Sequence, residues 1–213
     1  MTGSAEGPDG IAHRIVDPGA LSPQERYHLV TSLVVPRPIG WASTWGPGGV
    51  PNLAPFSFFQ AISGTPPLVC LSIGRRAGAP KDTLANVRER RALCVNVVSE
   101  DLLESMNLSS AEVGPEVDEF QLAGLALACS ERVDAPFVRD CRAVLECELR
   151  EEVALEGSAY TLIVAEIVGV RLAETVAFHE GSHRVRVDTL RPVGRLSGPE
   201  YTLLGEVRVL PRP

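Results

Sequence analysis

The chain predicts a mainly β protein, an antiparallel barrel interrupted by short helical excursions, and three observations carry that prediction. A hairpin is written into residues 39 to 59, where a strand-like run enters the Gly/Pro turn GPGG at 46–49 and returns. Two short apolar runs, TPPLVCLSIG (65–74) and ALCVNVVS (92–99), have the composition of strands buried on both faces. RAVLECELREEVAL (142–155) alternates apolar and charged residues, and EGSA joins it to YTLIVAEIVGVRL (160–172), which makes a long second hairpin. The helical patterns between these strands are too short and too few for a βαβ array.

Each element has its own local signal. Residues 1 to 20, rich in Gly, Pro and small polar side chains, read as a flexible arm ahead of a single domain over 21–213. SPQERYHLVTSLV (22–34) is a short helix with Ser22 as cap and Pro23 at the first helical position. The return strand VPNLAPFSFF carries Pro51 and Pro55, and a proline lacks the N–H that a ladder needs. The strand is therefore expected to bend or bulge and to leave neighbouring backbone groups free. Water could satisfy those groups, and so could the edge of a flat heterocycle, since Ser43, Thr44, Asn52, Ala54 and Ser57 are small or polar enough to let one approach. GRRAGAPKDT (74–83) reads as a loop, and LANVRERR as a helix capped by Asp82 or Thr83. Ser99 can cap EDLLESMNL. Residues 109–141 read as a loop-rich excursion carrying one short helix, and the C-terminal part adds one or two short strands.

Composition narrows the function classes. The chain has 213 residues, 45% hydrophobic and 22% charged, enough to bury roughly 70% of its extended surface without a disulfide scaffold. No apolar run approaches a membrane span and MTGSAEGPDG lacks signal-peptide features, so a cytoplasmic protein without a membrane partner is expected. A net charge of −7 with scattered basic residues argues against nucleic acid. Five cysteines without a CxxC read as reduced thiols, Cys70 and Cys94 within apolar runs.

Lysine occurs once, at Lys81. With Arg75 and Arg76 it precedes the helix start at Asp82 and Thr83, where free N–H groups and the helix dipole favour an anion such as a phosphate. HEGSH (179–183) satisfies the H-E-x-x-H expression of zinc hydrolases, but that motif needs a helix. Gly181, Ser182 and β-branched flanks favour a loop or strand edge instead, and no metal site is expected. GPGG is followed by no helix, so it is a turn rather than a dinucleotide fingerprint.

Taken together, PRPIGWAST, VPNLAPFSFF, the PPL strand with IGRR, KDTLANVRE, CVNVVSEDL and DEFQLAGL resemble, in this order, the flavin reductase-like family of FMN-binding split-barrel proteins. The resemblance runs from about Arg37 to Leu125 and continues more weakly to about Leu204. It implies an antiparallel Greek-key split barrel, a homodimer, and FMN held near the dimer interface. Along the flavin it places Arg37, Ser43, Thr44, Asn52, Ala54, Pro55 and Ser57, and at the phosphate and ribityl chain Arg75, Lys81, Asp82 and Thr83. The implied activity is hydride transfer from NADH or NADPH to flavin N5, and on to oxygen, free flavin or an electron-acceptor protein such as a monooxygenase. That chemistry needs no side-chain acid or base, and no catalytic residue is assigned. An electron carrier without its own NAD(P)H activity would use the same pocket, and a barrel dimer that has lost its ligand would remain colourless with FMN.

Overall fold

The fold of the computed structural model, which describes residues 4–6, 11–76 and 78–211, begins with a reciprocal helix cap. Glu25 N–H donates to Ser22 Oγ at 3.3 Å and Ser22 N–H donates to Glu25 Oε2 at 2.9 Å. With Pro23 at the first helical position this fixes α1 at Pro23–Leu33. Ahead of α1, Ser4–Glu6 pairs with Ala12–Arg14, and a 3₁₀ turn spans Pro18–Ala20. The rest of the N-terminal segment expected to be flexible, residues 1–3 and 7–10, lies outside the described residues.

The first hairpin is β1 (Gly40–Trp45) and β2 (Pro51–Phe56), joined by a 3₁₀ turn. Next come β3 (Phe59–Gly64), β4 (Pro67–Arg76), α2 (Asp82–Arg90) and β5 (Ala92–Val97). An excursion holding α3 (Leu103–Leu108), α4 (Glu119–Leu122) and a small hairpin of Leu127–Cys129 with Pro136–Val138 leads to β6 (Ala143–Ala154) and β7 (Tyr160–Leu172). After α5 (Val187–Leu190), the strand Gly194–Arg195 pairs with both Tyr201–Thr202 and Arg37–Pro38.

The main sheet has the order β2-β1-β5-β6-β7-β4-β3, with every pairing antiparallel. The connection through α2 carries the chain from β4 across to β5 beside β1, a Greek-key crossing. The sheet curls, yet its two edge strands β2 and β3 are consecutive in sequence and do not pair, which leaves the barrel split there.

Alternation along the strands divides the core in two. Ala42, Leu93 and Val95 join Leu71, Ile73, Ile163 and Leu84 of α2 inside the curl. Trp41 and Cys94 point the other way, onto Met106, Phe120 and Val138 of the excursion. Because both of its faces are covered, β5 is buried along nearly its whole length, as its continuous apolar run predicts.

Four expectations are corrected. Pro51 and Pro55 do not break the ladder: β2 pairs with β1 without a register shift, from Gly40 opposite Phe56 to Trp45 opposite Pro51. Leu53 N–H points off the open edge, where it donates to Glu119, and by alternation Pro51 and Pro55 have their missing donors on that same edge. β4 is not buried on both faces: Val69, Leu71 and Ile73 are buried while Leu68, Cys70 and Ser72, which alternate with them, are half-buried. The segment 74–83 is not a simple loop, since β4 runs to Arg76 and Ala79–Pro80 pairs back onto it. Finally, α2 is preceded by Lys81 as N-cap, with no side-chain capping bond, instead of being capped by Asp82 or Thr83. The strand β3 has no counterpart in the sequence reading.

Candidate functional site

The open edge of β2 faces a cleft made of three adjoining hollows, each lined by Pro55 and Lys81. One hollow runs beside Asn52, Ala54, Asp82 and Glu119. A second is walled by Tyr27, Ser57, Phe58, Arg75 and Tyr160. The third reaches Asn107, Arg195 and Tyr201. Phe58 lies 6.3 Å from Tyr27 and 5.6 Å from Tyr160 between ring centroids, which gives the second hollow an aromatic wall.

Cations gather at the start of α2. Lys81 Nζ lies 5.9 Å from the centre of the Phe56 ring and joins no ion pair among the described residues. Arg75 donates to Gly78 O at 3.1 Å, and Arg76 bridges Val113 O at 2.9 Å to Asp82 at 3.4 Å. Leu84 and Ala85 N–H bond Lys81 O, so the N–H groups of Asp82 and Thr83 precede the first intrahelical bonds.

Behind the cleft a buried polar network ties its parts together. Asn52 Oδ1 accepts from Thr83 Oγ1 at 2.9 Å and Thr44 Oγ1 at 3.3 Å, and Thr44 Oγ1 accepts from Asn86 Nδ2 at 3.0 Å. Asn52 Nδ2 donates to Glu119 Oε1 at 3.0 Å, while Glu119 Oε2 takes the Leu53 N–H at 3.1 Å. One carboxylate from α4 thus satisfies the open edge of β2 and holds the asparagine that locks α2. Glu119 is 6% exposed, and burial raises its pKa above the ordinary value, with nearby Asp82 pushing the same way against the hydrogen bonds that lower it.

The residues singled out in the sequence separate into two groups. Asn52, Ala54, Pro55, Ser57, Arg75, Lys81 and Asp82 line the cleft. Ser43, Thr44, Thr83 and Arg37 have buried side chains. Ser43 Oγ donates to Pro136 O at 2.6 Å and accepts from Asn96 Nδ2 at 2.9 Å. Arg37 uses its guanidinium on Thr31 O, Val34 O and Leu196 O at 2.5, 2.7 and 2.7 Å, fastening the end of α1 to the C-terminal region. Glu119 and the Tyr27, Phe58 and Tyr160 wall escaped sequence reasoning. The block DEFQLAGL contains Glu119, but a carboxylate on a four-residue helix gives no sign of burial.

HEGSH forms a tight turn. Phe178 bridges Val185, His179 N–H donates to Arg184 O at 2.8 Å, and Gly181 takes φ 66°. His183 packs edge-on against Phe178, 6.0 Å between ring centres, and does not line the cleft. Among the described residues no helix is long and apolar enough to cross a membrane.

A curled, split antiparallel sheet with a cationic, aromatic-walled cleft along its open edge defines a class of small-molecule-binding barrel. The chain belongs to the flavin reductase-like family: the model described as "Flavin reductase like domain" matches residues 32–186, more than half of its length. It is 37% identical over 203 residues to an uncharacterised protein of Halalkalibacterium halodurans, covering 93% of this chain and 96% of that one. Nitrilotriacetate monooxygenase component B from Bacillus cereus superposes with a TM-score of 0.87 at 30% identity, over 92% of this chain and 98% of the other. The 2-nitrobenzoate 2-nitroreductase of Pseudomonas fluorescens gives 0.84 at 31%, over 93% and 96%. The split-barrel fold is common to further structures of this kind.

Proposed function

We propose that this chain is an FMN-dependent oxidoreductase that uses NADH or NADPH as electron donor and works as a homodimer in the cytoplasm. The observation that carries the reading is the set of three hollows meeting at Pro55 and Lys81, with aromatic rings walling one of them and an arginine in each. A molecule with a planar ring system and a phosphate has that outline. Lys81, Arg75 and the N–H groups of Asp82 and Thr83 would hold the phosphate. Ala54, Pro55 and Ser57 would lie along the ring, and Ser43, Thr44 and Thr83 would support the site from behind. Bound FMN would supply hydride acceptance at N5 and onward transfer of electrons to oxygen, free flavin or a partner protein. The chain's own task is to bind and orient, and no side chain in the cleft is assigned a proton-transfer role.

An apolar hollow that adjoins the cleft at Phe58 and is lined also by Val30, Val34, Pro36, Phe59 and Leu162 offers a face for the second copy, and five unpaired cysteines suit a reducing compartment. The test is anaerobic mixing of the purified protein with FMN and then NADH or NADPH. Loss of the flavin's visible absorbance without any other protein supports the reading. Bound flavin that stays oxidised overturns it in favour of an electron carrier reduced by a partner. Failure to take up FMN removes both.

A further inference from the structure

Four arginines gather around a second hollow, at the opposite end of α2 from Lys81. It is an open hollow of about 390 Å³ lined by Arg90, Arg91, Arg132 and Arg150, with Asp134 and Glu148 as its carboxylates. The lining itself holds four arginines against two carboxylates, with Glu166 paired to Arg150 and Glu89 to Arg90 just outside it. Arginines in the last turn of a helix suit its dipole, which accounts for Arg90. It does not account for Arg132, which comes from the excursion, or for Arg150, which comes from β6.

Arg91 is informative because of its backbone. It closes α2 with φ 57°, a left-handed position that glycine fills without strain and where an L side chain costs about 1 kcal/mol. Its guanidinium makes one hydrogen bond, from Nη2 to Leu149 O at 2.9 Å. The side chain of Arg132 packs beside Gly169 and Glu146, whose pKa its charge helps to lower, and makes no hydrogen bond or ion pair within 4 Å among the described residues. Arg90 gives Nη1 to Asp134 at 3.1 Å, and its buried Nε, which makes no hydrogen bond among the described residues, lies 3.9 Å from Glu89 Oε1. Arg150 is held by Glu166 at 2.7 Å through Nε. Guanidinium donors of Arg91 and Arg132 that make no hydrogen bond among the described residues therefore belong to the lining of one hollow, with Arg90 and Arg150 held by carboxylates.

We propose that this hollow binds a phosphoryl group, separately from the cleft along β2. Planar guanidinium forks match the oxygens of a phosphate, and Arg91 brings its cation to the hollow from a left-handed backbone position that glycine would fill without strain. Asp134 and Glu148 on the rim favour one compact anion over an extended polyanion. The phosphoryl group could be free or carried by a nucleotide.

The test is calorimetric titration of the full chain, saturated with FMN, using pyrophosphate and ADP, with potassium chloride at matched ionic strength as reference. Saturable binding is expected, weakened about ten-fold or more in Arg132→Ala and in Arg91→Gly, since each loses a charge-assisted contact. Arg91→Gly suits its backbone conformation, so it keeps the fold. ADP binding much more tightly than pyrophosphate would identify a nucleotide, and equal affinities the free anion. Lys81→Ala should leave this binding unchanged, which separates it from the flavin reading. No binding above the chloride reference, or wild-type affinity in both arginine variants, would overturn the proposal.

Discussion

Lys81 and Glu119 stand on either side of the same cleft, and sequence treats them very differently. Lys81 was visible as the only lysine, placed just before a helix. Removing it should cost a charge-assisted contact of about 1.5–3 kcal/mol, so Lys81→Ala is expected to bind FMN about ten- to a hundred-fold more weakly, read by fluorescence titration. Unchanged affinity would remove the phosphate assignment. Glu119 was legible only as part of a resemblance, because its burial depends on β2, which lies 66 residues away along the chain. Its raised pKa has a definite sign for stability. The unfolded chain loses this proton first, near 4.5, so the contribution of Glu119 to stability declines as pH rises from there through its folded value. Urea midpoints measured across that range should show the decline in the wild-type protein, and Glu119→Gln should abolish its share. Equal pH profiles for the two proteins would contradict this.

At the scale of elements, the strands with plain alternation were readable and those shaped by their neighbours were not. β6 and β7 follow the predicted hairpin because charged residues mark one face. β3, FQAISG, has a small polar composition and draws its strand character from pairing with β4. The prolines of β2 were recognised as unusual, but their orientation needed the register with β1. On an open edge they remove donors that a foreign strand could use. Pro51→Ala with Pro55→Ala should therefore change unfolding free energy by no more than about 1 kcal/mol while promoting self-association. Light scattering during slow heating is the measurement, and unaltered scattering would show that the prolines do not guard the edge.

At the scale of the whole molecule, the barrel class was legible because most of its strands announce themselves locally. The doubling of the core was not, since it depends on the excursion of 103–141 folding over the outer side of β1 and β5. That arrangement also decides how the protein would age in its own chemistry. Under the proposed function, electrons passed to oxygen in pairs would yield hydrogen peroxide, which attacks thiolates rather than thiols. Cys94, Cys141 and Cys147 are buried among the strands, and desolvation pushes their acidity out of physiological range, Cys147 up to about 12. Cys129 is exposed on the small hairpin. Under peroxide, peptide mass spectrometry should find oxidation first at Cys129 and last at the three interior thiols. Early oxidation of Cys94 would mean that the core opens during turnover. If the proposed function holds, the double core acts as chemical armour, keeping three of the five sulfurs out of reach of an oxidant made at the cleft.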